Sequence, residues 1–293
     1  MTRLSKLLQC TESEKQAIFK NYGIAEQDFE GYIDILQEWL AKTNLPKNDD
    51  TRSKLSICLL NCKMSLEDTK KCISGYYRIR TIYSNFFDKM MPYTEDYNKV
   101  KRFAISIFRI RDPKGEMNDG LLYQLIGVMV TEMRIKSSDY FLSNILIIDL
   151  QEFELKHLIK YTPGVIQKLV HLMLAIKLRL KNIHFVNTSE IIDRVMVLVK
   201  TMLPEKFVDR VATHRTPESL YEYIPKEYLP SDYDGSQPSI ADLHEQWCEA
   251  LEEREEDFKK LLDAKCYDDM DKLIENEVFG IGSEGSFKKL AID

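Results

Sequence analysis

Six cysteines (10, 58, 62, 72, 248 and 266) and five histidines (157, 171, 184, 214 and 244) are the residues on which a nucleophilic, redox or metal site would draw. Their spacing supports none of these chemistries. There is no CxxC, no HxxxH pair on one helix face and no Cys/His cluster with zinc spacing. A GxSxG nucleophile elbow and a GxxxxGK[ST] phosphate loop are also missing. Gly280 to Gly285 spells GxGxxG, but that motif needs a strand before it and a βαβ unit around it. Here an acidic helical stretch precedes it and eight residues follow, so it reads as a folded-back tail. Asp149 closes an apolar run of strand length, where α/β enzymes place acids. A lone carboxylate there reads as a loop or cap ligand, and nothing assembles a nucleophile, a base and an oxyanion site around it. The cysteines read as reduced, semi-buried thiols of a cytosolic protein.

The unusual segment is 189 to 206. Between Ile191 and Leu203 only Asp193, Arg194, Lys200 and Thr201 are polar. Ile191, Val195, Leu198 and Met202 make one helical stripe; Ile192, Met196 and Val199 widen it, and Val197 adds apolar surface beyond it. Such a helix needs apolar surroundings on more than one side. Two readings satisfy that: a helix buried in the domain, or a lid whose inner face covers an apolar ligand and whose outer face meets lipid. Lys206 and Arg210 come directly after its apolar stripe, and Arg179 and Lys181 precede the strand before it. Converging on one surface, these four cations would make an anionic-lipid site; dispersed, they are a solvated face.

The elements that must position these residues follow from periodicity and caps. Residues 1–95 read as a helical module. Thr11 with Glu14 is a capping box, Phe29 to Leu40 carries a helical apolar period, a third helix covers 51–62, and Ser65 with Asp68 caps a fourth. From 96 to 238 the pattern is β-α-β-α-β-α-β. The predicted strands are 103–110, 145–150, 183–186 and 208–214. Asp119, Thr162-Pro163 and Ser189 open the crossover helices, which predicts a mainly parallel sheet flanked by helices. Residues 239–293 read as a long acidic helix to about Ala264 and a tail.

Composition narrows the class. The chain has 293 residues, is 44% hydrophobic and 30% charged, and holds only 11 glycines. This is globular chemistry with little material for glycine-rich phosphate loops. The net charge of −6 divides into −9 over 239–293 and +3 over the rest, which does not suggest nucleic acid. The first residues lack the apolar core of a signal peptide, and no run reaches 18 uninterrupted apolar residues.

Several stretches together resemble one family. Ile148-Asp-Leu-Gln-Glu-Phe153, Tyr161-Thr-Pro163, Ile183-His-Phe-Val-Asn187, Leu203-Pro-Glu-Lys206, Tyr228-Leu-Pro230 and Tyr233-Asp-Gly235 are similar, in order and spacing, to the CRAL-TRIO lipid-binding family, which includes the tocopherol-transfer and retinaldehyde-binding proteins. The tail Glu284 to Leu290 resembles an insect branch. The resemblance implies a helical N-terminal module and an α/β lipid-binding domain whose mobile gate helix matches about 189–206. It implies a non-enzymatic, monomeric cytoplasmic carrier that needs no cofactor and works transiently at membranes. Expected cavity residues are Phe108, Ile148, Phe153, Phe185, Ile191, Val195, Val199 and Met202, with Tyr123 or Tyr140 as a polar anchor. Expected phosphoinositide contacts are Arg179, Lys181, Lys206 and Arg210. Two positions depart from the family pattern: Cys62 replaces an arginine, and Glu152 stands where glycine is frequent. Rival readings are a phosphoinositide-dependent adaptor whose cavity is only core, and an α/β enzyme with a polar cleft.

Overall fold

The structure, a computed structural model, describes Leu7, Ala104–Ile105 and residues 10–48, 51–98, 109–112, 114–117, 119–140, 143–175, 180–203 and 205–263. The helical module contains α1 (Glu12–Tyr22), α2 (Glu26–Ala41), α3 (Thr51–Asn61), α4 (Leu66–Ile82) and the single turn α5 (Ser84–Phe87). Both bonds of the capping box form at α1: Thr11 N donates to Glu14 at 2.7 Å and Glu14 N to Thr11 Oγ1 at 3.2 Å. Gly23 ends the helix with φ +64°, a left-handed conformation natural to glycine. Ser65 caps α4 through Asp68 N. Phe29, Ile33, Leu36 and Leu40 of α2 bury one face against α3 and α4, which completes an apolar cluster of its own.

The parallel sheet is narrower than predicted. β3 (Asn144–Asp149), β4 (Leu180–Val186) and β5 (Val211–His214) pair in that order, all parallel. Among the described residues, the predicted strand at 103–110 does not join the sheet as a fourth member. It folds back on itself as β1 (Ala104–Ile105) and β2 (Arg109–Ile110), antiparallel, with Ala104 opposite Ile110. Its apolar, β-branched composition signals extended backbone without naming a partner. Between the strands run α6 (Leu125–Lys136), the turn α7 (Leu155–Leu158), α8 (Pro163–Ala175), α9 (Glu190–Met202) and the turn α10 (Glu205–Val208). Asp119 caps a 3-10 turn, Gly120–Gln124, that leads into α6. Beyond β5 the chain forms a 3-10 turn over Pro217–Glu222.

Both faces of the sheet are covered, as its continuous apolar strands require. Ile147 and Val186 pack on one side with Leu220, Ile224, Leu229, Tyr233 and Ile240. Leu146, Ile148, Ile183 and Phe185 face the other way, toward α8 and α9. The loop 229–237 crosses itself closely there: Gln237 N donates to Leu229 O at 3.0 Å and Gly235 N to Pro230 O at 3.0 Å. A Cβ on Gly235 would lie 1.9 Å from Leu229 O, which accounts physically for glycine in the Tyr233-Asp-Gly235 stretch.

The predicted acidic helix ending near Ala264 is two helices, α11 (Ile240–Glu252) and α12 (Glu255–Leu262). The break at Arg254 turns the chain so that Phe258 and Leu261 reach the same cluster as Cys248 and Leu251. That cluster also holds Ile79, Phe86, Phe87 and Tyr97 with Leu121 to Met133, so one core joins the three expected chain segments. A buried ion pair reinforces it: Arg80 donates to Glu132 at 3.0 Å and to Leu261 O at 2.6 Å, while Tyr76 donates to Glu132 at 2.7 Å. The GxGxxG stretch and the tail with the insect-type resemblance lie outside the described residues.

Candidate ligand cavity

A cavity of about 640 Å³ lies between the sheet and α6, α8 and α9. The sheet supplies its floor by alternation: Leu146 and Ile148 on β3, Ile183 and Phe185 on β4, and Val211 on β5. α8 contributes Ile166, Leu169, Val170 and Met173, and α6 contributes Ile126 and Val130. The cavity is walled mainly by aliphatic and aromatic carbon, with polar groups confined to a few positions. Its volume falls within the range of small-molecule sites, roughly 300–1,000 Å³.

α9 closes one side. Ile192, Val195, Met196 and Val199 line the cavity, an i, i+3, i+4, i+7 set on one helical face. Ser189 caps the helix through Ile192 N. Asp193 in its first turn pairs with Arg215 at 2.7 Å, and Thr188 donates to His214 O through N at 3.0 Å and Oγ1 at 3.2 Å. These contacts set the rotation of the helix. Ile191 and Val197 consequently point away from the cavity, 66% and 68% exposed. Ile191 therefore does not join the wall as expected: apolar residues of α9 spread beyond a single stripe, so its sequence periodicity left the rotation open.

The other expected residues divide. Ile148, Phe153, Phe185, Val195 and Val199 are brought together on the wall. Tyr123 also lines it, but its hydroxyl donates to buried Asp112 at 2.7 Å and is thereby spoken for. Burial and that bond hold the phenol protonated well above its ordinary range. Tyr140 is elsewhere, its ring 6.4 Å from Phe19 and 6.2 Å from Phe29 in the cluster of the helical module. Phe108 lies outside the described residues, as does the side chain of Met202, the last residue of α9. Sequence reasoning missed Arg134 and Asn144, which line the cavity from α6 and β3. Neither sits in a recognisable motif.

Asp149 anchors one end of the cavity. Its carboxylate accepts from Arg109 Nε at 2.8 Å and Nη2 at 2.5 Å, Tyr233 Oη at 2.5 Å, Asn187 Nδ2 at 2.8 Å and Gln151 N at 2.9 Å. Arg109 also reaches Asp232 at 3.4 Å. These bonds tie β2, β3, the β4–α9 turn and the 229–237 loop together, so the group acts as a structural clamp.

Of the four expected cations, Lys181 and Arg210 are exposed at one end of the sheet. Arg210 Nη1 donates to Leu180 O at 2.5 Å, which brings its side chain next to the residue before Lys181. Arg179 and the Lys206 side chain lie outside the described residues. Cys62 is buried in the helical-module cluster, and Glu152 pairs at the surface with Arg111 at 3.4 Å.

On the opposite face of β4, His184 Nδ1 and His214 Nε2 share a hydrogen bond of 2.8 Å, and His214 Nδ1 meets Ser219 Oγ at 2.7 Å. Burial, with repulsion from His214, pushes His184 down to about 4. Among the described residues no group of His, Cys, Asp and Glu is arranged to hold a metal, and no helix is long and apolar enough to cross a membrane.

A parallel sheet covered by helices over a mainly apolar hollow has the shape and chemistry to take up a hydrophobic small molecule. Comparison with known proteins makes the class specific. Residues 101–235, a little under half of the chain, match the CRAL/TRIO domain. It is similar to Clavesin-1 of Rattus norvegicus, 33% identical over 96 residues, 32% of this chain and 27% of that protein. It is also similar to Alpha-tocopherol transfer protein-like of Mus musculus, 26% identical over 135 residues, 45% of this chain and 39% of that protein. The chain thus matches well under half the length of these relatives.

Proposed function

We propose that this protein is a non-enzymatic carrier that holds one hydrophobic small molecule of tocopherol, retinoid or carotenoid type in the cavity under α9 and transfers it at membranes from the cytosol. The observation that carries the reading is the cavity itself: about 640 Å³ of mainly apolar space behind one amphipathic helix. A ligand losing about 400 Å² of apolar surface to such a wall gains on the order of 10 kcal/mol, before the cost of immobilising it. α9 supports a gate role because it is apolar on both sides. Its inner face covers the cavity, while Ile191 and Val197 already meet solvent. At a bilayer those two side chains exchange water for lipid, and opening then exposes the inner face to lipid rather than water. Lys181 and Arg210, with Arg179 and Lys206 adjoining in sequence, supply the positive charge for a phosphoinositide headgroup beside the gate. The names of the relatives agree in kind, one being a tocopherol-transfer-like protein.

The test is transfer of a fluorescent tocopherol or retinoid from donor to acceptor vesicles containing phosphatidylinositol phosphates. The reading expects transfer that scales with protein concentration. Headgroup-dependent vesicle binding with no ligand uptake would instead support an adaptor whose cavity is only core.

A further inference from the structure

Beside the cavity, one lining residue holds a buried amide donor that no described residue satisfies. Asn144 opens β3 and lines the cavity, as does Arg134 in the last turn of α6. Arg134 Nη1 donates to Asn144 Oδ1 at 3.3 Å, and Arg134 Nε donates to Asp139 at 2.6 Å. Asp139 in turn accepts from Cys10 N at 3.2 Å, which fixes the pair from behind. An arginine can only donate, so the oxygen of the Asn144 amide is the atom turned to it, and Nδ2 is the atom left over. That nitrogen is out of solvent and has no hydrogen-bond partner among the described residues. A buried amide donor without an acceptor is costly, and most such groups in folded proteins find a partner.

We propose that the Asn144–Arg134 end of the cavity is the recognition site for the polar end of the ligand. The molecule carried is a lipophile with a hydrogen-bond-accepting oxygen, an aldehyde, ketone, ester or carboxylate, and not a pure hydrocarbon. The oxygen takes up the Asn144 amide donor after a small side-chain adjustment, while the apolar skeleton lies toward Val170, Phe185 and Val195. The donor without a partner favours ligands that bring an acceptor, because such ligands satisfy it whereas a hydrocarbon leaves it unmet. This inference rests on the carrier reading and adds to it the chemistry of one end of the cargo.

The experiment compares matched ligands on the full chain, using quenching of Trp247, which lines the cavity. One pair is all-trans-retinaldehyde and axerophthene, the same skeleton ending in methyl. The other is methyl oleate and 9-octadecene, competed against a bound retinoid. The wild-type protein should prefer the oxygenated member of each pair by about tenfold or more. Asn144→Asp keeps an oxygen for Arg134 and replaces the donor by an acceptor; it should abolish that preference while leaving hydrocarbon affinity within about threefold. Asn144→Leu should narrow the preference and hold axerophthene at least as well as wild type, and thermal melts establish that both variants fold. Equal affinity within each pair, or a preference that survives both substitutions, overturns the inference and leaves the carrier reading standing. Failure of all four ligands to bind defeats the carrier reading itself.

Discussion

Asp149→Asn is the substitution whose cost the structure specifies best. The change keeps the shape of the side chain but removes its charge and half of its accepting capacity. Oδ2 serves three donors, two from Arg109 and one from Tyr233, and Oδ1 serves Asn187 and Gln151. Whichever way the amide turns, at least two donors lose their acceptor. Arg109 is only 6% exposed, and its other carboxylate partner among the described residues is the weaker Asp232 at 3.4 Å. Breaking a buried pair from one side costs about 3–5 kcal/mol, because a buried charge is left uncompensated. Removing the stranded charge relieves much of that, so Arg109→Met/Asp149→Asn should be less destabilised than the sum of its single variants by about 2 kcal/mol. Urea unfolding at pH 7, followed by circular dichroism and tryptophan fluorescence, reads both quantities. A loss below about 1 kcal/mol for Asp149→Asn, or strict additivity in the double variant, would refute the view that this carboxylate clamps the end of the cavity.

Other consequences are equally open to measurement. Ile148→Trp adds bulk to the cavity floor; retinoid affinity should fall about tenfold or more while the urea midpoint changes little, and unaltered affinity would place the ligand elsewhere. The buried His184–His214 pair predicts acid sensitivity. His184 is neutral in the fold down to about pH 4 but takes up a proton near its ordinary value of 6.5 once unfolded. Stability should therefore be level above pH 7 and fall by up to about 3 kcal/mol between pH 6.5 and 4, and His184→Gln should flatten that slope. Gly235→Ala should cost more than about 2 kcal/mol, since its Cβ meets Leu229 O at 1.9 Å; a near-neutral result would mean the loop gives way easily. Lys206→Ala with Arg210→Ala should weaken binding to phosphoinositide vesicles and leave ligand loading intact, whereas unchanged vesicle binding would end the headgroup role.

Local signals in the sequence were legible where one residue determines one feature. Thr11, Ser65, Ser189 and Ser239 mark helix starts that the structure caps with their own side chains. The apolar runs at β3 and β4 announced a sheet covered on both faces, and the ordered stretches from Ile148 to Gly235 pointed to the family. Features decided by tertiary partners were not legible. Nothing in 103–110 says that this extended segment turns back on itself. The rotation of α9 depends on Arg215 and His214, more than a dozen residues beyond the face they orient. Tyr140 follows α6 closely enough to suggest the cavity, yet the aromatic rings of the helical module claim it. The Arg134–Asn144 pair joins two elements across a loop, and neither residue type is unusual where it stands.

The account depends on the hollow being occupied by a single lipophilic molecule. Native mass spectrometry of protein purified from its own cells, paired with analysis of an organic extract of the same sample, tests that most directly. The account predicts one hydrophobic, oxygen-bearing molecule per chain, displaced when Ile148 is replaced by tryptophan. A protein that comes out empty, and that stays empty when challenged with the matched ligand pairs, would contradict it.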